Sequence, residues 1–406
     1  MLQIGSVNTL QENPFRIQGV VEPPFFTDRA DELRRVRDAL RAPAGRLLVH
    51  GERRMGKTSL LHVARLHRER EGGAVVLADL STASSAADMA NRVLESAGRA
   101  LGRGWRDFAG DIAARLRVRV QLVPDPATGL ALPTLEASLR AKEPAEQTDS
   151  LVGVLDALQA MAAARDATLG VVLDEFQEIH RFGGEAAEWA LRGAMQHHDR
   201  LSYVLAGSDS VLIRQMLGRN RAFYEMFETL ELGPIEPAHL ARWIDERMRD
   251  AGAEPSAGLG DRVAAVAGAR TRDVVRLARA CFAESTPGDE ARAVVRAGLS
   301  RVVADEDDRM RVTWTGLTPL QQNVLRAIAW GGAGLTSRET LERFGLGHGG
   351  TARNSALALE GRGLLVQRQD GWSFDSPFAR AWVVANALPD AGVLVPIDHL
   401  PGDPAP

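Results

Sequence analysis

Lysine, cysteine and tyrosine are scarce in this chain. Its 406 residues include one cysteine and two tyrosines, and the only lysines are Lys57 and Lys142. A lone cysteine, Cys281, excludes an intrachain disulfide and a cysteine-based metal cluster, and it suits a reducing compartment. It lies in an apolar helical run and reads as a core residue. No stretch reaches the roughly 18 apolar residues of a membrane span. The longest apolar runs, such as Leu169 to Leu173, have the length of a buried strand. Met1-Leu2-Gln3-Ile4-Gly5-Ser6 lacks the basic and apolar regions of a signal peptide, so a cytoplasmic protein without a membrane partner is expected. A formal net charge of −4 gives no whole-chain case for nucleic-acid binding, although one domain can still be locally basic. The length and an ordinary apolar content suggest a soluble protein of two or three domains.

Lys57 survives a composition that otherwise favours arginine heavily. It sits in Gly51-Glu52-Arg53-Arg54-Met55-Gly56-Lys57-Thr58-Ser59, which matches G-x-x-x-x-G-K-[ST]. Such a loop cradles phosphates with backbone N–H groups and needs a compact ammonium between the β- and γ-phosphate oxygens. A planar guanidinium does not fit that slot. The apolar run Leu47-Leu48-Val49-His50 precedes the loop, and helical spacing of apolar residues follows from Thr58 to Leu66. Strand, loop and helix is the setting a phosphate loop requires, with the helix N-terminus facing the anion. Thr58 is expected to ligate Mg²⁺ through its hydroxyl.

A second strand is expected over Ala74 to Leu80. The run Leu169-Gly170-Val171-Val172-Leu173-Asp174-Glu175 ends in two acids, the Walker B arrangement. Asp174 would hold the Mg²⁺ shell and Glu175 would polarise the attacking water. A further strand, Leu201 to Ala206, ends in Gly207-Ser208. Ser208, with Asp209 as second candidate, either helps to position that water or caps the next helix. That helix runs from Val211 to Leu217, and a fifth strand covers Phe227 to Leu232. Between them, Arg219 and Arg221 are either arginine fingers for a neighbouring subunit's nucleotide or solvated side chains.

With these motifs the chain resembles the AAA-type P-loop ATPases, in the prokaryotic branch called archaeal-type ATPases, close to STAND signalling ATPases and origin-recognition initiators. The resemblance covers roughly residues 20–390. Its marks are Phe26-Thr27-Asp28-Arg29-Ala30-Asp31-Glu32-Leu33, the phosphate loop, Leu173-Asp174-Glu175-Phe176-Gln177-Glu178-Ile179, and Ala206-Gly207-Ser208. The resemblance implies that Phe26 and Arg29 lie beside the adenine, favouring ATP. It also implies a second sensor within Gly268 to Leu277, with Arg272 near the γ-phosphate and Arg270 as the alternative. Ser208 stands where many such proteins carry asparagine, and Thr271 replaces the usual proline. Slow rather than fast hydrolysis is therefore expected.

The segment from about 116 to 134 alternates, turns at Asp125-Pro126-Ala127-Thr128-Gly129 and alternates again, which reads as a β-hairpin. It either touches a partner or packs as an ornament. Beyond the acidic break Asp305-Glu306-Asp307-Asp308, three helices are expected over residues 318–329, 337–344 and 351–362. Two short strands then flank Asp370-Gly371. That order is a winged helix. Its third helix would present Arg353 and Asn354 to a DNA major groove, yet residues 313–382 carry only seven arginines against five acids. Phosphate contacts need more positive charge than this.

The expected architecture is an α/β P-loop core over residues 1–236, a helical lid over 237–303, a winged helix over 312–388 and an extended tail over 389–406. The expected function is an ATP- and Mg²⁺-binding switch that couples nucleotide state to assembly with itself or to a protein partner. Two alternatives stay open. One is a DNA-binding initiator-like or mobile-element ATPase; the other is a scaffold holding ATP without hydrolysing it.

Overall fold

The computed structural model describes residues 12–17, 19, 25–101, 120–124, 131–135, 144–208, 210–331, 334–368 and 371–388. The chain divides into two compact units, residues 20–233 and residues 1–19 with 234–406.

The first unit is built on a five-stranded sheet. Its strands are β1 (Arg46–His50), β2 (Ala74–Asp79), β5 (Leu169–Asp174), β6 (Leu201–Gly207) and β7 (Glu228–Glu231), in the order β2-β5-β6-β1-β7. Every pairing is parallel, so helices must return the chain between strands. The helices of this unit are α1 (Ala30–Arg41), which precedes β1, and α2 (Lys57–Arg70), α3 (Ala86–Leu101), α4 (Pro144–Ala164), α5 (Glu178–Met195) and α6 (Ser210–Met216).

Successive strand residues point to opposite faces, and both faces are covered. Leu48, Val76, Val171, Leu173, Tyr203 and Leu205 enter one core with residues of α3, α4 and α5. Their neighbours Leu47, Val49, Val75, Val172, Val204 and Ala206 enter a second core with residues of α1 and α2. Burial on both sides explains why β5 and β6 read as continuous apolar runs rather than alternating ones.

The expected hairpin is present as β3 (Val120–Pro124) and β4 (Ala131–Leu135), antiparallel in the register Val120 to Leu135. β4 lies against α3. The turn at 125–129 lies outside the described residues, as do the tail at 389–406 and Asp209.

In the second unit, α7 (Pro237–Asp250), α8 (Leu259–Ala267), α9 (Thr271–Glu284) and α10 (Ala291–Asp305) form a helical core. Pro237 stands at the first turn of α7, where its missing N–H costs nothing. Phe15 is fully buried in this core, edge-on to Trp243 at 5.6 Å and to Phe282 at 6.5 Å. The segment around Phe15 therefore belongs to the helical unit and not to the sheet unit, where the sequence boundary of 1–236 had put it.

After α11 (Asp307–Thr315) come α12 (Pro319–Trp330), α13 (Arg338–Arg343), α14 (Gly349–Gly361), the antiparallel pair β8 (Leu365–Arg368) and β9 (Gly371–Phe374), and α15 (Pro377–Ala387). The Thr318 side chain and Gln321 form a reciprocal capping box that starts α12. Leu317, Val324, Leu325, Ala352, Leu359 and Leu365 make a small core of their own. Phe378, Trp382 and Val383 of α15 instead enter the core of α7 to α10, so these helices and the C-terminal helices share packing through α15. Among the described residues no helix is long and apolar enough to cross a membrane.

Candidate functional site

The candidate site lies at the C-terminal ends of β1, β5 and β6. The chain leaves β1 at Gly51, where a Cβ would stand 2.4 Å from the Leu232 carbonyl oxygen, so only glycine fits. The loop then takes left-handed φ at Arg54 (70°) and Gly56 (94°) before α2 begins. The first turn of α2 contains no acid, so nothing within it offsets the positive end of the helix dipole. Met55 is buried and anchors the loop in the α1–α2 core. Glu52 and Arg53 are exposed, and Arg54 and Ser59 are half-buried.

Lys57 is 5% exposed. Its Nζ donates to the Gly51 oxygen at 2.8 Å and the Glu52 oxygen at 2.7 Å. An ammonium has three N–H donors, so this geometry leaves one for an acceptor from outside the protein. Burial lowers the Lys57 pKa, opposed by the nearby Glu175 and Asp174 carboxylates.

Asp174 is 2% exposed at the end of β5. Thr58 Oγ1 donates to its Oδ2 at 2.7 Å, and the Glu175 N–H donates to its Oδ1 at 3.0 Å. Burial pushes the Asp174 carboxyl up from its ordinary range, and these two neutral donors only partly compensate. A buried carboxylate beside a hydroxyl is a donor set suited to Mg²⁺, which keeps waters and takes phosphate oxygens for its remaining positions. Among the described residues no group of three or more His, Cys, Asp or Glu could hold a metal alone. Thr58, Asp174 and nucleotide phosphates together fit it.

Glu175 has a left-handed φ of 54°, which turns its side chain off the strand end. Ser208 Oγ donates to Glu175 Oε2 at 2.7 Å, and Arg53 Nε donates to Ser208 Oγ at 3.4 Å. Lys57, Thr58, Asp174, Glu175 and Ser208 are thus brought together. Sequence reasoning missed Gln177 as a functional candidate. Its Nε2 donates to the same Glu175 oxygen, and no pattern in the sequence singles it out.

Other candidates have different surroundings. Arg29 is buried, with a left-handed φ of 76°, and its guanidinium donates to Glu32 and to the Gly233 carbonyl. It pins the entry of α1 to the end of this unit. Phe26 is half-buried against the α1–α2 core. Arg221 donates to the fully buried Glu188 at 2.6 Å and pairs with Glu185 at 3.3 Å, whereas Arg219 is exposed. In the second unit, Arg272 is exposed near the start of α9, and Arg270 is buried and paired with Asp375. Arg353 and Asn354 are exposed on α14.

No family model matches the sequence, and no curated protein matches it. Among solved structures, the fold is similar to the Walker-type ATPase paby2304 of Pyrococcus abyssi, at 15% identity over 91% of this chain and 99% of that one, with a TM-score of 0.58. The likeness is one of fold, an α/β P-loop NTPase core. The Aeropyrum pernix ORC1 protein in complex with DNA is a weaker match, at 18% identity over 90% of this chain and 95% of that one, TM-score 0.47. The Thermotoga maritima RuvB branch migration motor matches at 14% identity over 85% and 91%, TM-score 0.40. In this core, β6 separates the loop-bearing β1 from the acid-bearing β5. Ser208, at the end of β6, therefore stands between the two halves of the site.

Proposed function

We propose that the protein binds ATP with Mg²⁺ at the ends of β1, β5 and β6, hydrolyses it slowly, and uses nucleotide state as a switch for assembly or partner binding. The observation that carries this reading is the Thr58–Asp174 hydrogen bond beside the buried Lys57 ammonium. The loop amides and the α2 N-terminus bind the phosphates, and Lys57 bridges the β- and γ-phosphate oxygens. Thr58 and Asp174 hold the metal, and Glu175 polarises the attacking water. Held there, Mg²⁺ would supply positive charge to offset the charge that develops during transfer. The P. abyssi protein, itself a Walker-type ATPase, supports the same activity.

In this reading Arg272 senses the γ-phosphate from the lid helices. The lid core continues into α15, which supports transmission of lid movement to the C-terminal helices. A two-state element biased by the γ-phosphate is the physical basis of such switches. We read α12 to β9 as a winged helix. Exposure of Arg353 and Asn354 on α14 favours a second reading, in which this module contacts duplex DNA.

The test is ATP turnover and oligomeric mass of the wild type and Glu175→Gln, with and without duplex DNA at about 0.1 M salt, where phosphate contacts are still strong. Turnover abolished by Glu175→Gln, with mass or partner binding set by ATP and indifferent to DNA, is the expected result. DNA-stimulated turnover favours the second reading. Absence of turnover and of any change in mass contradicts the switch and leaves ATP as a structural ligand.

A further inference from the structure

Glu175 is held from two directions at a single oxygen. Ser208 Oγ and Gln177 Nε2 both donate to Oε2, and among the described residues none donates to Oε1. The main chain around Glu175 is fixed independently. The Phe176 N–H donates to the Ala206 oxygen at 2.7 Å, and the Phe176 ring is buried edge-on to Phe223 at 5.3 Å. With the backbone fixed, these two donors decide where the carboxylate points.

Gln177 is 5% exposed, and its other amide atom, Oε1, is buried with no hydrogen-bond partner among the described residues. A buried unpaired carbonyl costs stability and calls for a reason. Gly207 supplies part of one. A Cβ at residue 207 would stand 2.6 Å from Gln177 Oε1, so the amide reaches Glu175 only because β6 ends in a residue without a side chain. The other atoms such a Cβ would meet belong to Ile213, at 2.7 and 2.9 Å, and they are ends of a flexible side chain.

We propose that Gln177 is the positioning residue of Glu175: with Ser208 it fixes the carboxylate through Oε2 and leaves Oε1 for the attacking water. Gly207 is the clearance that lets it do so. The proposal rests on the reading of Glu175 as the group that polarises water.

The test uses the full-length protein and the packing isostere Gln177→Met. The expected result is a fall in kcat of about tenfold, the scale of one hydrogen bond to a charged group, with KM for ATP and Tm unchanged. Gly207→Ala lowers kcat in the wild type and adds nothing to Gln177→Met. An unchanged kcat in Gln177→Met, or a Gly207→Ala loss that adds fully to that of Gln177→Met, overturns the proposal. If the wild type binds ATP without turning it over, the hydrolysis reading fails on its own. The contact is then read from the Gln177 side-chain amide NMR signal, assigned by its loss in Gln177→Met. Slow hydrogen exchange that becomes fast in Glu175→Ala supports the contact, and exchange indifferent to Glu175→Ala overturns it.

Discussion

Thr58 Oγ1 donates to Asp174 Oδ2 across 2.7 Å, although 116 positions separate the two residues. The contact joins the start of α2, which follows β1, to the end of β5, and β6 lies between those two strands. Thr58→Ala removes the hydroxyl and leaves a buried carboxylate oxygen unpaired. The expected outcome is a loss of about 1 kcal/mol of stability in the nucleotide-free protein and a much weaker dependence of ATP affinity on Mg²⁺. Thr58→Ser retains both properties. Thermal melts and ATP titrations at several Mg²⁺ concentrations check this, and unchanged Mg²⁺ dependence in Thr58→Ala would rule out the assigned role.

Arg221 compensates Glu188, whose side chain is fully buried. His180 Nδ1 stands 2.7 Å from the same oxygen, and Glu188 Oε2 has no partner among the described residues. Breaking a buried pair from one side leaves an uncompensated charge, which costs about 3 kcal/mol. Arg221→Ala is therefore expected to lower denaturant stability by that order, and Arg221→Ala with Glu188→Gln to recover most of it. An arginine finger behaves differently: its loss reduces turnover of the assembled protein and leaves stability intact. Denaturation of the single and double variants separates the two roles.

Glu71 receives Arg41 and Arg37, and these hydrogen bonds lower its carboxyl from an ordinary 4.5 to about 2. A depressed acid stabilises the fold above its unfolded value, and the contribution disappears as pH falls through the folded value. The Tm difference between wild type and Glu71→Gln is thus expected to be present at neutral pH and to shrink between about 4.5 and about 2. Melts across that range check it. A difference that stays constant would show that the carboxylate charge contributes nothing there.

Much of the core was legible because its signals are local. The apolar runs ending at His50, Asp174 and Gly207 are strands buried on both faces, and the glycine loop has the strand and helix it requires. The Thr318 cap and its proline mark the start of α12 as directly as a sequence can. Arg29 was not legible in the same way. Its left-handed backbone and its bond to the Gly233 carbonyl depend on a contact 204 positions away, which no local pattern carries. Phe15 likewise finds its partners beyond residue 240. Gln177 lies inside the segment Leu173 to Ile179, but the room its amide occupies depends on the absent side chain of Gly207 at the end of another strand. Residues that act through local spacing could be read; residues that act through tertiary contact could not.

The most direct test is calorimetric titration of Mg²⁺-ATP into the wild type and Lys57→Ala. Lys57 contributes a charge-assisted contact to phosphate, and its removal is expected to weaken binding by about 100-fold. The nucleotide-free variant should keep its Tm, because burial already works against the Lys57 charge. Equal affinity in the two proteins, or no ATP binding by the folded wild type, would contradict a nucleotide site at the ends of β1, β5 and β6.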